Sequence, residues 1–196
     1  MSPLIAWRGA ETGSGWRRGS QDNTARVWDA ETGKELLTLG GHRGPVRSVR
    51  WSRDGKRLAT GSDDKTGKVW NAMMGKELLT LTGHCDSVFG VAWNPDGKHL
   101  ATGSWDNTAK IWDAETGKEL LTLTGDNSGV ESVAWSPDGK RLATASGDGR
   151  VQIYAIDIRD LMALARERVT AHPSAEGCKK YLHVDRCPPF PDLPWW

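Results

Sequence analysis

The chain has 196 residues, 26 Lys+Arg against 25 Asp+Glu, and a formal net charge of +1. That balance speaks against a dedicated nucleic-acid binder, which needs clustered excess positive charge, and no apolar run nears the roughly 20 residues that span a bilayer. The N-terminal MSPLIAWRGAETG lacks the basic start and apolar stretch of a secretory signal, and 3 cysteines, an odd number, suit a reducing cytosol better than a disulfide framework. The expectation is a cytoplasmic protein with neither a nucleic-acid nor a membrane partner.

Tryptophan is over-used, 11 against 2 Tyr and 2 Phe. Six of the indoles form two series, Trp28, Trp70, Trp112 and Trp51, Trp93, Trp135, each stepping by 42 residues. The pairs Gly41-His42 and Gly83-His84 keep that step, as do Asp22, Asp64, Asp106 and Asp148 and the Asp-Gly turns at 54, 96 and 138. A fixed period of this size marks repeated supersecondary units that bury their apolar faces against their neighbours.

In chain order, Ala6-Trp7 resembles the end of a first strand, but Ala10-Glu11-Thr12-Gly13-Ser14-Gly15-Trp16-Arg17-Arg18 is no second strand. One back-translation of that segment, read from the third base, gives Gly-Asp-Gly-Lys-Arg-Leu-Ala-Thr-Gly and recovers the run at residues 54–60. The segment is therefore read as frameshifted, in the gene or in its sequencing; codons that forbid that frame would contradict the reading. Residues 21–29 make a sound third strand and 35–39 a fourth.

The next units are regular. In one of them Val88-Phe89-Gly90-Val91-Ala92-Trp93 alternates, Asn94-Pro95-Asp96-Gly97 turns, and His99-Leu100-Ala101-Thr102-Gly103-Ser104 follows. Pro fixes φ and Gly supplies a positive φ in such a turn. Ala109-Lys110-Ile111-Trp112-Asp113 is the third strand, and Glu115-Thr116-Gly117 turns into a fourth at residues 119–123. The pattern is a four-stranded antiparallel unit.

After Ile156 the character changes. Ile158, Leu161, Met162, Ala165 and Val169 share one helical face, so a helix is expected there; the same residues also align with the fourth strand at 119–124, and a strand stays open. Pro173-Ser174 then starts a short helix bearing Cys178, Tyr181 and Leu182, and the last ten residues are proline-rich. His172, Cys178, His183 and Cys187 match no standard zinc spacing. No metal and no cofactor are expected, and Cys178 is read as a small packed hydrophobe.

The tract G-H-C-D-S-V-F-G-V-A-W-N-P-D-G-K-H-L-A-T-G-S-W-D-N-T-A-K-I-W-D and its counterpart from Gly41 resemble the WD-repeat β-propellers, over roughly residues 19 to 156. The resemblance implies an all-β fold, an incomplete WD-repeat β-propeller of three full four-stranded blades plus a partial one, with a short helical, Pro-rich C-terminal tail. The divisions are residues 1–40, a degenerate or partial first blade; 41–156, three WD-type repeats (41–82, 83–124, 125–156); and the tail, 157–196. Leu164-Ala-Arg-Glu-Arg-Val, Glu176-Gly-Cys-Lys-Lys-Tyr-Leu-His and Cys187-Pro resemble the ends of bacterial multidomain proteins that join WD repeats to a kinase or ATPase module.

Each good repeat holds a His, a hydroxyl, an Asp and a Trp: His42, Thr60 or Ser62, Asp64 and Trp70, then His84, Thr102 or Ser104, Asp106 and Trp112. A nucleophile–base–carboxylate triad uses the same residue types. An enzyme needs one site, whereas this set recurs with every unit, so it reads as a buried hydrogen-bond tetrad with Ser62 and Ser104 as the hydroxyl members. No catalytic residue is assigned. The third repeat departs from the pattern, with Asp126 where His is expected and Tyr154 for Trp.

Comparing repeats exposes their variable positions. Arg47, Phe89 and Glu131 occupy one such position, and Gln21, Asp63, Trp105 and Gly147 another, amid nearly invariant flanks. Arg47, Asp63, Phe89, Trp105 and Glu131 are the candidates for partner contact, since Trp and Arg most often dominate interface energy. The expected function is a non-enzymatic protein–protein interaction scaffold or sensor module, the C-terminal part of a larger bacterial WD-repeat signalling protein, with an unknown protein partner. Self-association would cover open blade edges. The competing readings are a truncated or frameshifted gene remnant and, disfavoured, a carbohydrate-binding or hydrolytic propeller. The last needs a unique acidic or His cluster or a repeated sugar-stacking aromatic, and neither occurs.

Overall fold

Short alternating runs between Asp, Pro and Gly turns form strands, and the computed structural model contains thirteen of them among the residues it describes, 22–29, 31–125 and 127–156. The first two, β1 (Thr24–Trp28) and β2 (Glu35–Gly40), form a two-stranded sheet. The first full blade is β3 (Val46–Trp51), β4 (Arg57–Ser62), β5 (Gly67–Asn71) and β6 (Glu77–Leu81), in that order. The second is β7 (Val88–Trp93), β8 (His99–Ser104), β9 (Ala109–Asp113) and β10 (Glu119–Leu123). A third blade follows, with three strands among the described residues, β11 (Val130–Trp135), β12 (Arg141–Ser146) and β13 (Val151–Ala155).

Every pairing is antiparallel, and the register repeats from blade to blade: Leu58 faces Trp70 as Leu100 faces Trp112 and Leu142 faces Tyr154. The Asp-Gly turns close with Gly55, Gly97 and Gly139 at φ 69, 69 and 73°, the left-handed conformation that glycine adopts without a Cβ penalty.

The core lies between successive sheets rather than within any one. Ala59, Val69 and Leu81 of the first full blade pack with Val88, Val91, Leu100 and Trp112 of the second. The contact is close because Gly61 has no side chain: a Cβ there would sit 2.8 Å from Val88 Cγ1, and one on Gly103 would sit 2.6 Å from Val130 Cγ1. Forty-two residues on, Ala145 stands in that place, with no following first strand among the described residues. The face this leaves is open. Val69 and Ile111 are buried, but their counterpart Ile153 is 70 % exposed and Val151 beside it 66 %.

The chain divides into two units, residues 1–156 and 157–196. The helix-or-strand alternatives for 158–169, the Cys178 helix, the His172, Cys178, His183 and Cys187 set, the segment 10–18 and Asp126 lie outside the described residues.

Candidate interaction face and the networks beneath it

Beneath the loops of each full blade runs one chain of hydrogen bonds. His42 sits where its Nδ1–H donates to Asp64 Oδ2 at 2.8 Å and its Nε2 accepts from Thr60 Oγ1 at 2.7 Å. Trp70 Nε1 donates to that same hydroxyl at 2.9 Å. The far carboxylate oxygen of Asp64 receives the Thr66 hydroxyl at 2.6 Å and the Thr66 amide at 3.0 Å. The second full blade repeats it, with His84 bonded to Asp106 and Thr102 at 2.8 Å each and Trp112 Nε1 to Thr102 at 2.8 Å.

The hydroxyl member is therefore Thr60 or Thr102, which corrects the assignment to Ser62 and Ser104. Threonine and serine lie two apart on the same face of β4, but Thr60 faces Lys68, one diagonal step from Trp70, while Ser62 faces Val46 at the strand end. Ser62 Oγ instead donates to the Gly44 carbonyl at 2.8 Å and Ser104 Oγ to the Asp86 carbonyl at 3.0 Å, pinning the loop before the blade's first strand.

Burial pushes His42 and His84 below the ordinary histidine pKa, opposed in part by the bond to Asp64 or Asp106. The neutral imidazole with its proton on Nδ1 fits both neighbours, so every member is satisfied. Burial would raise Asp64, but bonds from Thr66, the Arg43 amide and His42 outweigh it and keep the carboxylate below its usual range. Thr60 and Thr102 are fully buried, each hydroxyl held between an imidazole and an indole. In the third blade the Tyr154 hydroxyl bonds instead to Gln152 Oε1 at 2.9 Å, so the aromatic there serves a different network.

Two further networks escaped the reading of the sequence. Lys68 is only 8 % exposed, and its Nζ donates to Glu77 Oε2 and to Thr80 Oγ1, both at 2.8 Å; Lys110 does the same to Glu119 and Thr122 at 2.9 Å. The signal was present, since Lys68 and Lys110 keep the 42-residue step, as do Glu77 and Glu119. Secondly, the tryptophan ending each first strand reaches across to the preceding blade: Trp93 Nε1 donates to the Arg50 carbonyl at 3.1 Å and Trp135 Nε1 to the Ala92 carbonyl at 3.2 Å.

On this braced base the variable positions converge. The register of the first and second strands slips between Val46 and Ser48, between Val88 and Gly90, and between Val130 and Ser132. Arg47, Phe89 and Glu131 are thus the extra residues of three β-bulges, devices that re-aim a side chain out of the ladder. Asp63, Trp105 and Gly147 also share one place, each amide donating to the carbonyl of Pro45, Ser87 or Gly129 at 3.0 Å.

Four of the five candidates form a single row. Asp63 holds the Arg47 guanidinium through Nε at 2.7 Å and through Nη2, and those bonds raise the arginine pKa further. The Arg47 guanidinium lies over the Phe89 ring, 5.3 Å from its centroid, and Phe89 stacks on Trp105 at 4.5 Å with 6° between the planes. Trp105 then leans over Gly129 of the next blade, where a Cβ would lie 2.6 Å from Trp105 Cδ1. Trp105 is 50 % exposed. Glu131 lines, with Arg47 and Phe89, a cleft of about 350 Å³ between the first strands of the three blades. Among the described residues no group of three or more His, Cys, Asp or Glu is placed to hold a metal ion, and no helix is long and apolar enough to cross a membrane.

Residues 18–153 match the family described as the IFT122 first β-propeller. A stretch of 40 residues, 20 % of this chain, is 58 % identical to ribosome assembly protein 4 of Chaetomium thermophilum, of which it covers 8 %. Coronin-7 of Mus musculus is 52 % identical over 40 residues, 20 % of this chain and 4 % of that protein. The WD40 repeat-containing protein HOS15 of Arabidopsis thaliana is 48 % identical over 40 residues, 20 % of this chain and 6 % of that protein. Each match is about one repeat long, and the chain spans less than a tenth of the length of these relatives.

Proposed function

Because the chain belongs to the WD-repeat β-propeller family, as the match to the IFT122 first β-propeller over residues 18–153 shows, we propose that it is a non-enzymatic platform that presents the row Asp63–Arg47–Phe89–Trp105 to a protein partner. The observation that carries this reading is the stack itself: an exposed tryptophan and an arginine set in place by neighbours before any partner arrives. Such side chains supply much of an interface's energy, and fixing them beforehand lowers the ordering cost of binding. No bond is made or broken in this function. In support, the two Thr–His–Asp sets are buried and their hydroxyls already bonded on both sides.

Its compartment is the cytoplasm, a reading supported by the exposed unpaired thiol of Cys85. A host among bacterial multidomain signalling proteins is supported only by the sequence run in the tail, and the relatives named above are eukaryotic; a kinase or ATPase module encoded upstream would support such a host. The platform function is tested by comparing the proteins captured by the wild-type chain and by Trp105→Ala, quantified by mass spectrometry. Partners depleted on the variant are expected, and an unchanged set would overturn the reading.

A further inference from the structure

In each blade the bulge residue of the first strand pairs with the loop position just after the second strand. Arg47 meets Asp63 there as an ion pair, and Phe89 meets Trp105 as a stack. In the third blade the bulge residue is Glu131 and the loop residue is Gly147. The place that Asp63 and Trp105 fill in the other blades therefore holds no side chain, and Gly147 is exposed to solvent.

What surrounds that place is oxygen. A Cβ at Gly147 would lie 3.3 Å from Ser128 Oγ, 3.5 Å from Glu131 Oε1 and 3.9 Å from the Gly129 carbonyl oxygen, its three nearest neighbours. A carboxylate and a carbonyl accept hydrogen bonds and donate none, so the group that suits them is a donor, and a charged donor bonds a carboxylate most strongly. Gly129 also lies against Trp105, which brings the half-exposed indole to the edge of the same place. One junction earlier the chain shows what a carboxylate and an aromatic ring hold between them. There the Arg47 guanidinium is bonded to Asp63 and lies over Phe89, 5.3 Å from the ring centroid.

On the reading that the stacked row is the binding face, we propose that Gly147 marks the seat of an arginine side chain belonging to the protein partner. Its guanidinium bonds the Glu131 carboxylate and the Gly129 carbonyl, and its aliphatic stem packs along the exposed part of Trp105. Arginine fits better than lysine, because a planar fork of donors matches a carboxylate and stacks on an aromatic ring, as a compact ammonium does not. The partner segment that docks here is thus basic at the point where it crosses from the second blade to the third.

The probes are N-acetyl-arginine methylamide and its uncharged isostere N-acetyl-citrulline methylamide, titrated at matched ionic strength into the ¹⁵N-labelled full chain. The Trp105 indole N–H, assigned with Trp105→Phe, reports binding, and those of Trp93 and Trp135 record that the blades stay intact. The arginine probe should shift the Trp105 signal along a saturating curve and bind about tenfold tighter than the citrulline probe. Glu131→Gln should close that gap. Gly147 has no left-handed φ, so Gly147→Arg places a guanidinium in the seat without backbone strain; it should move the Trp105 signal by itself and abolish the response to the probe. Equal binding of the two probes, no shift up to concentrations on the order of 10 mM, or an undiminished preference for arginine in Glu131→Gln would each overturn the proposal. The platform reading fails separately: it falls if Trp105→Ala captures an unchanged set of proteins, even where the arginine seat is confirmed.

Discussion

Replacing Thr102 by valine keeps the shape of the side chain and removes only the hydroxyl. That hydroxyl is fully buried, accepts from Trp112 Nε1 at 2.8 Å and donates to His84 Nε2 at 2.8 Å. The substitution strands an indole N–H and an imidazole nitrogen in a site that water does not reach. Each such group costs about 1–3 kcal/mol, so the loss should be on the order of 2–4 kcal/mol after partial relaxation. That is a sizeable part of the roughly 5–15 kcal/mol by which domains are stable. Thr102→Ser keeps the bonds and loses one methyl, and should cost only about 1 kcal/mol. Ser104→Ala removes the bond to the Asp86 carbonyl and the one from the Asp106 amide, both at the loop end of the blade, and should cost about 1–2 kcal/mol. Urea unfolding followed by tryptophan fluorescence measures all three, and a double-mutant cycle of Thr102→Val with His84→Gln isolates the shared bond. Serine 104 proving costlier than threonine 102, or additive effects of Thr102→Val and His84→Gln, would refute the assignment of the tetrad hydroxyl.

Burial holds His42 and His84 below their ordinary pKa of 6.5, so in that range the unfolded chain binds more protons than the folded one. Stability should therefore be complete above about pH 6.5 and fall on acidification at up to about 1.4 kcal/mol per pH unit for each histidine. Asp64 and Asp106, depressed below 3.8, should extend the loss to lower pH; denaturant midpoints between pH 8 and 4 check the profile, and a His42→Gln/His84→Gln variant should flatten its upper part. Gly129→Ala places a Cβ 2.6 Å from Trp105 Cδ1 and should displace the indole without deleting any member of the row, lowering partner capture nearly as far as Trp105→Ala does. Lysine at both Val151 and Ile153, 66 % and 70 % exposed on β13, should suppress concentration-dependent self-association in light scattering, and persistence of the larger species would place that contact elsewhere.

The strands were legible because alternation and Asp-Gly turns are local properties, and the two tryptophan series fixed the period before any contact was known. His42, Asp64 and Trp70 were legible as a set because only those residue types complete a closed donor–acceptor chain. The hydroxyl was not: Thr60 and Ser62 share a face at period two, and only the cross-strand register distinguishes them. Lys68 escaped notice because a lysine reads as solvent-facing unless its Glu77 and Thr80 partners on the neighbouring strand are seen. Trp93 and Trp135 were counted without a role, since their acceptors are backbone carbonyls of another blade, which no side-chain pattern announces. Comparison of repeats did single out Arg47, Phe89 and Trp105. That they touch one another depends on bulges and on the approach of neighbouring blades, both beyond the reach of a linear pattern.

The most direct test is the affinity of a captured partner for the wild-type chain, Trp105→Ala, Arg47→Ala and the exposed Met73→Ala, measured by calorimetry. A residue at the centre of an interface contributes about 2 kcal/mol or more, so Trp105→Ala is predicted to bind about 30-fold more weakly, with a smaller loss for Arg47→Ala and none for Met73→Ala. Equal affinities across the four proteins would contradict the assignment of the stacked row as the binding face.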